Sequence, residues 1–159
     1  MLTIELKKSS PTQHAFTLVF EGGGKETVQL ETKTYLLHDL LHYAVESEVG
    51  LTDSFYGRLL KGYHYEDLAT PEMSVAASGG EQEALMTERI VGLLTGVLKH
   101  NANGEQALLG LTNLLGASGD AVPLWFTEEF VTRIKERMRK LEGEWEGTPF
   151  GESMTLVFG

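Results

Sequence analysis

Strict alternation of apolar residues at both extremes of the chain constrains its fold more than any other feature. Near the start, LTIEL sets Leu2, Ile4 and Leu6 on one side of an extended strand, and FTLVF does the same with Phe16, Leu18 and Phe20. At the far end, ESMTLVFG repeats the pattern with Met154, Leu156 and Phe158. Each segment has one face to bury, and a lone strand has no partner for its backbone groups. The last strand is therefore expected to return to the first ones and bring the chain ends together. SSPTQ reads as a turn between the first two strands. EGGGK leads into a third strand, ETVQLET, and its glycines tolerate positive φ, so the N-terminal strands form an antiparallel meander. EGGGK lacks the Gly-Lys-Ser/Thr ending and the strand-to-helix setting of a phosphate loop.

The middle of the chain carries helical periodicity. A helix is expected from Thr32 or Thr34 to Gly50, where a left-handed cap costs little, with Leu51 packing back onto it. TDSFYGRLLKG supplies a cap at Thr52 or Asp53 and apolar positions Phe55, Tyr56, Leu59 and Leu60, giving a shorter second helix. Thr70 to Gln82 mixes Pro, Ser, Ala and Gly without periodicity and reads as a mobile loop. Two helices follow, at about residues 82 to 100 and 104 to 116, and another from Thr127 to Glu146. In the first of these Gly92 and Gly96 face away from the apolar stripe, a spacing that would admit another helix or a second subunit. The expected architecture is one α+β domain over residues 1–159: a small antiparallel sheet from the N-terminal and C-terminal strands, packed against about five helices.

Composition narrows the function classes. A net charge of −10 opposes sequence-independent nucleic-acid binding, which needs Lys and Arg against phosphates. The one basic run, RIKERMRK, flanks an apolar stripe of Phe130, Ile134, Met138, Leu141 and Trp145, where long basic stems cover the core edge. No apolar run approaches the roughly 18 residues of a membrane helix, so no membrane partner is expected. With zero cysteines there is neither a disulfide framework nor a thiolate metal site, and the cytoplasm is the simplest location.

The chemistry-bearing stretch is HDLLHYAVESE, residues 38 to 48. On a helix, His38, Asp39, His42 and Glu46 gather opposite Leu36, Leu37, Leu40, Leu41, Ala44 and Val45. Three readings stand: a solvated helix face, a polar cluster at an interface, or a site built on two imidazoles four residues apart, a spacing that chelates zinc or another divalent ion from one helix. Metal ligands would be His38, His42 and Glu46, or in place of Glu46 a residue from elsewhere such as His64 or His14. Asp39 and Glu46 are the candidate proton acceptors. Tyr35, Tyr43, Phe55, Tyr56, Tyr63 and Tyr65 surround this helix in sequence, either as packing or as the walls of a pocket for an unidentified small ligand.

HDLLH resembles the zincin His-Glu-x-x-His motif, with Asp39 where that family carries its general-base glutamate, one methylene shorter. LLHDLLH is also similar to the His-Asp pair of the HD-domain phosphohydrolases, without the helical histidine which that family places upstream. More broadly, HDLLHYAVESEVGL, SFYGRLLKGY and WEGTPFGESMTLVF together resemble a group of uncharacterised bacterial proteins that share this His-Asp helix; the resemblance implies a recurring free-standing domain and transfers no activity. The function expected from sequence is divalent-metal binding by the His38/His42 helix, which would open the way to a metal-dependent hydrolase; the alternative is a non-catalytic binding or homo-oligomeric interaction module with a solvated histidine face.

Overall fold

The structure is a computed structural model and describes residues 1–68 and 81–159. Three N-terminal strands, β1 (Leu2–Lys8), β2 (Gln13–Phe20) and β3 (Lys25–Glu31), form the expected meander. The C-terminal β4 (Ser153–Phe158) adds to β1, giving an antiparallel sheet in the order β3-β2-β1-β4. The register sets Ile4 between Leu18 and Leu156, and Leu2 between Phe20 and Phe158. Leu2, Ile4, Leu6, Phe16, Leu18, Met154, Leu156 and Phe158 are all buried, so the period of two read at both chain ends is the inner face of one sheet. The EGGGK hairpin closes with Phe20 N–H donating to the Gly24 carbonyl at 2.8 Å, and Gly23 takes the positive φ of 89° that its turn requires.

The helices are α1 (Thr32–Val49), α2 (Phe55–Leu60), α3 (Glu81–His100), α4 (Gly104–Gly116) and α5 (Glu128–Gly147), with a 3-10 turn at Tyr65–Leu68. Gly50 caps α1 at φ 80°, and Thr127 caps α5 by accepting the Phe130 N–H at 3.1 Å. Phe130, Ile134, Met138 and Leu141 of α5 are buried. Its basic flank is spent locally: Arg133 and Arg137 pair with Glu48, and Lys135 donates to the Ala102 carbonyl. No described helix is long and apolar enough to cross a membrane. The expected mobile segment from Thr70 to Gln82 lies outside the described residues except for its last two, which open α3.

Two expectations are corrected. The first is the two-sided α1. Asp39, Leu40, Leu41 and His42, then Ala44, Val45 and Glu46, are buried, because α1 packs on β2 and β3 and also against α2, α3 and α5. A helix enclosed on several sides buries its polar stripe together with its apolar one. The second is the cap of α2. Its N-cap is Ser54, whose side chain makes no cap bond to its own helix, and the orphan amides of the first turn go instead to a carboxylate from α1, described below. Close approach also fixes Gly57: an added Cβ there would stand 2.5 Å from the Thr52 backbone.

The sheet assignment makes a paired prediction. Leu156→Ala should lower stability by about 2–5 kcal/mol through loss of buried area and a residual cavity. Val157→Ala, on the half-exposed outer face, should cost under about 1 kcal/mol. Chemical denaturation measures both, and equal losses would contradict the face assignment.

Candidate metal centre

Helical geometry places His38 and His42 one turn apart on α1, with ring centroids 4.6 Å apart and planes inclined by 63°. Their surroundings differ. The His38 side chain is 45% exposed, whereas that of His42 is 1% exposed. α3 runs across this part of α1 and brings in Glu88, whose side chain is 20% exposed. One Glu88 oxygen lies 3.0 Å from His42 Nε2 and the other 3.5 Å from His38 Nε2. Among the described residues, His38, His42 and Glu88 are the group that could hold a metal ion, each offering one donor atom, all within 4.8 Å of one another.

The opposite edges of the two rings meet other carboxylates. His42 Nδ1 and Glu46 Oε2 are 2.9 Å apart, and His38 Nδ1 and Asp39 Oδ1 are 3.4 Å apart. Both imidazoles therefore direct Nδ1 to a carboxylate on α1 and Nε2 to the shared carboxylate on α3. A metal-bound histidine ordinarily has this arrangement, with an outer carboxylate fixing the tautomer and the ring orientation.

Glu46, expected as a third ligand, stands behind His42. Its other oxygen, Oε1, accepts the N–H of Tyr56 at 2.8 Å and of Gly57 at 3.1 Å, so both oxygens are acceptors and the group acts as a carboxylate. This charge sits at the N-terminus of α2, where the unpaired amides favour an anion. Asp39, the other candidate proton acceptor, is also on the Nδ1 side. Its backbone carbonyl accepts from Tyr56 Oη at 3.0 Å, while its Oδ2 is buried with no hydrogen-bond partner. Neither lies on the Nε2 side of the histidines, where Glu88 stands.

The alternative third ligands are elsewhere. His14 is fully buried, with Nδ1 3.0 Å from Thr32 Oγ1 and its ring edge-on to Trp145. His64 is exposed and pairs with Glu26. The aromatic residues pack on one another: Phe55 lies 5.0 Å from Tyr56 and 6.0 Å from Tyr65, and also flanks His42 at 5.7 Å. Sequence reading missed Glu88. Its signal was a carboxylate in line with the buried Ala84 and Val91, four residues after one and three before the other.

Electrostatics tie the cluster together. Burial opposes protonation of His42, but the Glu46 hydrogen bond and the negative charge of Glu46 and Glu88 overcome it and push its pKa up to about 10. For His38 burial is likewise outweighed, by Asp39 and Glu88, and the pKa is raised. Burial alone would raise Glu88; the two histidines reverse this and hold it well below the usual carboxylate range. Burial pushes Glu46 up against the pull of His42 and the two amides. His42 Nε2 nevertheless has no hydrogen bond in line: Glu88 is at ion-pair distance, but out of alignment. The nearly enclosed His42 nitrogen thus meets Glu88 as an ion pair without a directed hydrogen bond.

The signs of these shifts give a prediction for the metal-free chain. A histidine whose folded pKa lies above its unfolded value of about 6.5 contributes stability that is full below 6.5 and is lost as pH rises through the folded pKa. With chelator present, the denaturation midpoint should therefore fall between pH 6.5 and about 10, the range set by His42. Glu88 has the opposite sign, and its contribution is lost on acidification below its unfolded pKa. A midpoint that stays flat or rises across the alkaline window would contradict the His42 clamp. Comparison with known proteins gave no match among protein-family models, curated proteins or solved structures.

Proposed function

We propose that the protein binds one divalent metal ion, zinc or a similar first-row ion, through nitrogens of His38 and His42 and a carboxylate oxygen of Glu88, with Glu46 and Asp39 orienting the rings from behind. The observation that carries this reading is the common orientation of the two histidines, Nε2 toward Glu88 and Nδ1 toward a carboxylate. Two imidazoles and one carboxylate suit zinc and its neighbours, whose bonds to such donors are about 2.0–2.2 Å. Donors around such an ion are roughly 3 Å apart, a spacing that His42 and Glu88 already have. His38, with Nε2 3.5 Å from the other Glu88 oxygen, completes the set.

One observation favours a second reading. The same carboxylates that would orient metal ligands also stabilise an imidazolium at His42, so a proton can occupy the place of the ion. Under that reading the cluster is a buried ion network holding α1 to α3, and the protein is a binding or interaction module without chemistry of its own.

Metal and proton compete for the same nitrogens, and this separates the readings. Protein purified without chelators or a histidine tag should carry close to one zinc or similar ion per chain. His42→Ala and Glu88→Ala should each abolish stoichiometric metal. Glu46→Gln should keep the ligands but weaken affinity by about 10–100-fold, as loss of an outer carboxylate does. Free zinc at a hundred times its dissociation constant should add about 2.7 kcal/mol of stability, because the ion binds only the folded chain. This gain should grow as pH rises through neutrality, opposite to the alkaline decline of the metal-free chain. Metal-free protein whose melting temperature ignores added zinc, manganese and nickel would establish the ion-network reading.

A further inference from the structure

The three donors do not surround the place they define. His42 is enclosed, with Phe55 beside its ring and Glu46 behind it. On the same flank Glu83 of α3 accepts from the Asp53 amide and the Ser54 hydroxyl, and Ser54 in turn meets Thr87 at 2.8 Å. Ser54 and Thr87 are each 1% exposed, so the junction between the start of α2 and α3 is closed to solvent. His38, at the other end, is 45% exposed.

These contacts also fix the direction of α3. Glu83 meets the chain just beyond the end of α1, and Glu88 meets the middle of α1, so α3 runs back along α1 toward its start. Gly92, one turn past Glu88, accordingly falls on the His38 side. Helical side chains lean toward the N-terminus, and any side chain at position 92 would extend over Glu88. Glycine leaves that space bare: a Cβ added at Gly92 would meet nothing within 4 Å.

We infer that the ion keeps exchangeable coordination positions on the side facing His38 and Gly92, and takes a small anionic ligand there. The inference rests on the metal reading above and deepens it. Two neutral imidazoles and one carboxylate leave a divalent ion with one net positive charge among its ligands, which attracts an anionic donor. Three protein ligands with the remaining positions open are the arrangement of metal centres that bind or activate a substrate; structural centres close the fourth position with protein. The site thus accepts ligands that present a small negatively charged head to the metal, and the bare helix surface beside Gly92 admits them.

Cobalt(II) gives the test a visible readout, and azide is the probe. The chain loaded with one cobalt(II) should show a saturable shift of its visible bands on titration with azide, with the cobalt retained after desalting. Gly92→Leu should still hold one cobalt(II) but move the azide titration to higher concentration, because leucine covers the open flank. A stoichiometric cobalt(II) chain whose spectrum azide leaves unchanged is a closed centre; it overturns this inference and leaves the metal reading intact. If the chain binds no cobalt(II), both fall together. Equal azide binding by Gly92→Leu and the parent chain would overturn the assignment of the opening to the Gly92 side.

Discussion

A carboxylate with no exposed surface, that of Glu46, joins α1 to the start of α2. It accepts from His42 within α1 and from the two amides that begin α2, so one side chain satisfies the imidazole and caps the neighbouring helix. Burying a carboxylate is costly unless its acceptor positions are filled, and here three donors fill them. The arrangement also explains the local sequence. Gly57 must be glycine because α2 begins against the backbone of Thr52, and that approach brings its amide to Glu46.

What depends on Glu46 is the asymmetry of the cluster. With Nδ1 committed to Glu46, His42 has one nitrogen left, and it faces Glu88. His38 repeats the geometry one turn earlier with longer distances and more exposure. The result is a close His42–Glu88 pair and a third group, His38, at the surface. The carboxylates around His42 stabilise a positive charge on its ring, and on the proposed metal reading a proton and a divalent cation compete for the same nitrogen.

The sheet contributes by position. Because β4 returns to β1, the two chain ends lie side by side at one edge of the sheet, and α1 rests on β2 and β3 at the other. With the sheet on one side and α2, α3 and α5 on others, α1 has no broad wet face left. Asp39, His42 and Glu46 of HDLLHYAVESE are held inside by packing around them, while His38 stays half-exposed.

The sequence by itself determined the elements. Alternation at both ends gave a sheet that includes the last strand, and helical periodicity with Gly50 and Thr127 at the boundaries located the helices within a residue or two. These signals are local, because faces and caps are set by residues at most four positions apart. It also brought His38, His42 and Glu46 into view, since one helix suffices to align them. Only the tertiary structure decided which face of α1 is covered, that Glu46 turns back to α2, and that the carboxylate facing both histidines comes from position 88. The histidines and Glu88 are separated by more than forty residues of chain, and no periodicity within either helix records which neighbour it meets. That choice is made by the collective packing of the helices on the sheet, where burial of the apolar stripes determines which polar groups are brought together.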